Sequence, residues 1–172
     1  AEADLASSVT ISIGGFQNAI AEAVGRAQPL GAQAGDELRL VTSNSMAAGN
    51  APEGAAGMVE TNVNIAAVTM NGDAITSCVI DAVQAQVSFD GQGQLLTDLS
   101  APVPSKNDRG ADYGMGAVSS IGKEWNEQAA AFAAYVTGKT LDEVAGIAVD
   151  EATKPAEADL ASSVTISIGG FQ

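Results

Sequence analysis

The chain has 172 residues, 46% of them hydrophobic, which is enough to bury one core. Its 21 acidic residues against seven basic ones give a formal net charge of −14, which repels phosphate backbones and anionic membrane surfaces. It contains no histidine, which excludes imidazole metal ligation and every histidine-based triad, and its one cysteine, Cys78, excludes an intramolecular disulfide and a cysteine-rich zinc site.

Nucleic acid is therefore not expected as a partner. No apolar run is long enough to span a bilayer, so membrane insertion within this segment is not expected either. Few cysteines, abundant Ala, Gly, Thr, Asn and Gln, and the acidic excess suit an exported bacterial protein, extracellular or on the cell surface, and fit an acidic cytoplasmic protein as well; the former is the expectation.

The sequence AEADLASSVTISIGGFQ occurs twice without a change, as residues 1–17 and again as residues 156–172. The distance between the two starts is that of an ordinary domain, and a fixed period is the signature of a tandem array. Such a window would run from the end of one domain into the next. The other origin is a terminal segment copied onto the far end. Within each copy, Val9, Ile11 and Ile13 alternate with polar residues, the period of a strand with one wet face. After Gly14 and Gly15, the residues Phe16, Ile20, Val24 and Ala27 form a helical apolar stripe that ends near Gly25–Pro29. Residues 1–30 thus read as the last strand and helix of a preceding repeat, or as a duplicated segment available for swapping.

Residues 31–57, rich in Gly, Ala, Asn and Ser, read as a linker with one short strand around Leu38–Val41, and residues 58–172 as the domain proper. Its first strand spans Met58–Met70, Asn71-Gly72-Asp73 marks a hairpin, and Ile75–Phe89 is a long second strand whose apolar face shifts near Ala82, predicting a bulge or a bend. A third strand is expected at Leu95–Leu99. The Pro-, Gly- and charge-rich stretch from Ser100 to Gly116 reads as a loop that covers or lines a site. Trp125, Ala129, Phe132 and Val136 place a helix across Ile121–Val136 with its stripe in the core. Thr140 with Glu143 is a capping box that opens a short helix at Leu141, and Ile147–Val149 is a candidate strand.

This order of elements resembles the FMN-binding domain family. Asn71-Gly72-Asp73-Ala74-Ile75 looks like the family's Asp-Gly-Lys-Ile turn. Ser120-Ile121-Gly122-Lys123 looks like its glycine-containing helix start, and Ser162-Ser163-Val164-Thr165-Ile166-Ser167 looks like its Ser-Gly-Ala-Thr motif. The resemblance runs from about Val59 to Gln172, a domain lacking its last helix, whose counterpart is Asn18–Gln28 after the first copy, and implies an α+β fold, a small antiparallel β-sheet packed by two to three α-helices. Where the family motif is flavinylated, its Thr is esterified through the flavin phosphate, which puts Thr165 and its twin Thr10 at the matching positions. Ser162, Gly122 and Tyr113 complete the implied cofactor-binding set. Ser163 and Val164 replace the motif's Gly and Ala, and a β-branched residue crowds a phosphate that small residues admit. The expectation is therefore a domain without a cofactor, with FMN as the alternative.

Carboxylate pairs such as Asp108 with Asp112, or Glu124 with Glu127, suit hydrolysis only as far as any acidic chain does. The turn Asp90-Gly91-Gln92-Gly93 offers oxygen ligands without the spacing of a full calcium loop. No metal and no catalytic residues are expected. The functional expectation is a non-catalytic structural or adhesive repeat module whose partner is itself, through neighbouring repeats or exchanged strands that build filaments. The alternative is an FMN-binding electron-transfer domain.

Overall fold

A computed structural model describes Leu5, residues 7–50 and residues 55–172; the remaining parts of the first copy and of the expected linker lie outside the described residues. The chain divides into two units, residues 1–30 and residues 31–172.

In the first unit, Leu5, Ser7 and Ser8 are helical, and helix α1 spans Gly14–Arg26. The Gln17 N–H donates to Ile13 O, and Arg26 closes the last turn beside Glu22 one turn back. The predicted stripe is present but bare: Phe16, Ile20 and Val24 are 62–73% exposed. No strand forms between Ser8 and Ile13.

The second unit is α+β. Strands β1 (Glu37–Gly49), β2 (Gly57–Asn71) and β3 (Ala74–Phe89) form one antiparallel sheet in that order. The residues expected as a linker thus contain a full edge strand, paired with β2 from Glu37 opposite Met70 to Gly49 opposite Met58. The short strand expected around Leu38–Val41 is its first part; the small and polar side chains from Ser43 to Gly49 carry little strand propensity, and the ladder to β2 supplies what they do not. The hairpin between β2 and β3 turns on Gly72 and Asp73, one position later than an Asn-Gly turn, and only Gly72 needs positive φ, at 58°. A bulge is present, earlier than expected. The register shifts between Thr69 and Met70, opposite Thr76, so the core face changes from Ile75 to the even-numbered Ile80 and Ala82.

Leu95 makes one isolated bridge to Phe89, and Leu95, Leu96 and Leu99 stay exposed, so the third strand expected there is absent. Val149 likewise makes only a bridge, to Pro155. The loop after Ser100 is partly helical, with α2 (Lys106–Arg109) running into a 3-10 turn at Gly110–Tyr113. Helix α3 spans Trp125–Val136, starting four residues later than its stripe suggested because Gly122 takes φ 66°. The Glu127 carboxylate then accepts from the Glu124 N–H to cap it. Helix α4 (Leu141–Ala145) starts as read: the Thr140 hydroxyl accepts from Glu143 N–H, and the Glu143 carboxylate accepts from Thr140 N–H. Helix α5 (Ala158–Ala161) lies within the second copy of the repeat.

The core lies between one face of β2–β3 and a layer made of α3, α4 and the second copy. Trp125, Ala129, Phe132 and Val136 come from α3, while Leu160, Val164, Ile166 and Ile168 come from the copy and are 0–5% exposed. The alternation read in the repeat therefore identifies its buried face. It does not make a strand, because the backbone bonds leave the segment for other partners: Thr165 N–H goes to the Gln128 side chain and Ile168 N–H to Thr153 O.

Candidate functional site

Burial of Val164 and Ile166 turns the residue between them, Thr165, the other way, toward a polar cavity of about 310 Å³. The same alternation sends the Val164 side chain into the core, so its β-branch does not crowd the cavity wall. Thr165 is held by Gln128 of α3. Its N–H and its hydroxyl both donate to Gln128 Oε1, at 2.7 and 3.0 Å. Gln128 is fully buried and has its own anchors, since Nε2 donates to Lys123 O at 2.9 Å and to Ser119 Oγ at 3.2 Å. A buried amide is satisfied in this way, its hydrogen bonds offsetting its desolvation.

Two lysines line the cavity, Lys106 at the start of α2 and Lys154 in the turn before the second copy. Lys106 Nζ sits 5.0 Å from the Tyr113 ring centroid and 5.4 Å from that of Trp125, a cation held between two aromatic faces. Asn64 of β2 and Ser167 add polar atoms, and Ser167 Oγ is hydrogen-bonded to Thr153 Oγ1. Gly170 closes the rim, where a Cβ would stand 2.4 Å from Asn64 Nδ2, so only glycine fits with Asn64 in place. A second depression shares Met115, Lys154 and Thr165 and continues toward Ser119 and Ser120.

Of the residues that the sequence singled out, Thr165 lines the cavity. Tyr113 serves it indirectly through Lys106, and its own hydroxyl donates to Gln84 Oε1 at 3.5 Å. Ser162 caps the end of α5, donating to Asp159 O, and Gly122 forms the turn before α3; neither lines the cavity. Thr10 is exposed in the first unit. The sequence pattern did not point to Gln128, Lys106 or Asn64, which come from three elements widely separated in the chain. Gln128 had one signal: it is a polar residue one turn from Phe132, on a face otherwise apolar.

Several carboxylates have structural roles. Glu124 also accepts from Met115 N–H, and the Asp90 carboxylate accepts from Gln92 and Gln94 N–H to hold its turn. The Thr76 hydroxyl, with Gln33 N–H and Asn71, holds the Asp36 carboxyl below its ordinary range, and Thr140 does the same to Glu143. Burial pushes the Cys78 thiol up to about 11, which leaves it protonated at neutral pH and a poor nucleophile. Among the described residues no cluster of three or more acidic, cysteine or histidine side chains is placed to hold a metal ion, and no helix is long and apolar enough to cross a membrane. No family model, curated protein or solved structure matches the chain.

Proposed function

We propose that this chain is a non-catalytic structural or adhesive repeat module of a bacterial extracellular or cell-surface protein, and that it assembles with copies of itself by exchanging the repeated segment. One observation carries the reading. Among the described residues, the apolar side chains of the second copy are core and those of the first are not: Leu160 and Ile166 are at most 5% exposed, whereas their twins Leu5 and Ile11 are 49% and 67% exposed, and Val9 and Ile13, the twins of buried Val164 and Ile168, are half-buried. A site that accepts the second copy accepts the first with identical side chains, and the first copy of one molecule is free to enter the core of another. Because each molecule both offers a spare segment and holds a site, the exchange is heterologous and propagates into a linear chain. Acidic composition and the two-fold repeat support the surface assignment.

The FMN reading has an observation of its own. Thr165, two lysines and polar Asn64 share one cavity beside Trp125, a donor set that fits a phosphate monoester. Bound FMN supplies one- and two-electron transfer. Lys106 and Lys154 would hold its phosphate, and Gln128 would fix the position of the Thr165 hydroxyl.

Size-exclusion chromatography with light scattering, run across concentration on the full chain and on a variant lacking residues 1–17, tests the first reading. Oligomers that grow with concentration and vanish with the deletion are expected; a strict monomer at high concentration overturns it. The visible spectrum and intact mass of the same protein, purified from a host able to attach flavin, decide the second. A flavin band with a covalent mass increment, lost on Thr165→Ala, would establish it.

A further inference from the structure

On the core face of the sheet, Val41 of β1 pairs with Ala66 of β2, and Ala66 pairs with the buried Ile80 of β3. Helix α3 and the second copy cover the β3 side of that face. The β1 side is left open as an almost wholly apolar groove of about 300 Å³, floored by Val41, Ala66, Val68 and Met70 and walled by Leu141 and Phe171. The groove is thus the uncovered remainder of the layer that makes the core.

We infer that this groove is the seat of helix α1 from a second copy of the chain; the inference rests on segment exchange as proposed above. The occupant follows from the repeat. Phe171, half-buried, forms the groove wall, and the groove is also lined by Gly170 and Gln172. Their twins Gly15, Phe16 and Gln17 lie in α1, whose next two turns present Ile20 and Val24 in line with Phe16, all three exposed. A first copy that replaces the second residue for residue sets Phe16 where Phe171 stands, and its helix then leaves from the groove with Ile20 and Val24 as the following side chains. The glycines argue the same way. Gly169 and Gly170 are closely approached in the buried copy, where a Cβ would stand 2.8 Å from Thr153 Cβ and 2.4 Å from Asn64 Nδ2, so that a larger residue forces these side chains to shift. Their twins Gly15 and Gly14 have nothing within 4 Å and open a helix, where glycine is unfavourable. The first copy thus bears features suited to a site it does not occupy. The invading copy buries everything the resident copy buries, and adds the stripe of α1. That surplus drives exchange forward.

The test uses the full chain and a fluorescein-labelled peptide of residues 14–30, which carries α1 without the residues that enter the core. The peptide is expected to bind the full chain saturably, and Ile20→Asp in the peptide, or Leu141→Asp in the chain, to weaken binding about 10- to 100-fold, the loss of one buried aliphatic contact. Leu141 is exposed, so its change leaves the fold intact; unchanged circular dichroism checks this. In the full chain, Ile20→Asp with Val24→Asp is expected to return the oligomer to monomer. Oligomers that persist in that double variant, with no peptide binding, overturn the groove while leaving exchange standing. A monomeric wild-type chain that still binds the peptide through Leu141 overturns exchange and leaves the groove. Peptide binding by the double variant alone, with a monomeric wild type, means that α1 serves its own chain and overturns the second copy as occupant.

Discussion

The two copies of AEADLASSVTISIGGFQ share every side chain and differ in where those side chains end up. In the second copy, Leu160, Val164, Ile166 and Ile168 close the core against α3 and β3; in the first, Leu5, Ile11 and Phe16 face solvent. Local conformation follows sequence in both, since each has a short helical turn, then an extended run with a bend at the first isoleucine. They part at the glycine pair. Gly14 and Gly15 start a helix, whereas Gly169 and Gly170 form a turn closed by Phe171 N–H to Ile168 O. A segment's secondary structure is thus largely its own affair, but its burial depends on whether a surface is waiting for it.

Identical substitutions placed in each copy test that contrast. The largest effect is expected from Leu160→Ala, which removes a buried side chain and should cost about 2–5 kcal/mol in the dilute monomer, while Leu5→Ala should stay within about 0.5 kcal/mol. Urea denaturation of the two variants measures both. Equal losses would break the comparison, because they would mean that the first copy is also seated in a core. Gln128→Leu should cost about 1–3 kcal/mol, since the Thr165 N–H and hydroxyl lose their acceptor. The same melt with residues 1–17 deleted should show the same loss, which assigns the effect to the second copy. The smallest effects come from the glycines and have opposite signs. Gly15→Ala should strengthen α1 by about 0.5–1 kcal/mol, seen as added helical circular dichroism, whereas Gly170→Ala forces Asn64 aside and should lower the melting temperature by the equivalent of about 1 kcal/mol.

The features legible in the sequence were those carried by a few neighbouring residues. The Thr140–Glu143 capping box, the glycine of the hairpin, the stripe of α3 and the alternation of Val164, Ile166 and Ile168 each depend on local spacing, and each appears in the structure. Features carried by partners were not legible. The short strand read around Leu38–Val41 is the start of β1, but its second half, Ser43–Gly49, has weak propensity, exists through its ladder to β2, and read as a linker. The alternation in the repeat identified a buried face and was read as a strand, although the partners of its backbone are a glutamine side chain and the Thr153 carbonyl. The cavity shows the same limit. Thr165 could be read from a motif, but Gln128, Lys106 and Asn64 meet it only once α3, α2 and β2 have packed.

The contact between Trp125 and Phe171, with ring centroids 6.4 Å apart, gives the protein an optical reporter. Trp125 is the one tryptophan of the chain, and it is buried beneath the repeated segment. Simple loss of the second copy wets the indole and shifts its emission to the red. Replacement by a first copy returns a phenylalanine, Phe16, to the same place and leaves the emission blue. Intrinsic fluorescence therefore separates a molecule that has opened from one that has traded segments, and it does so without a label, on the same sample whose mass is being followed.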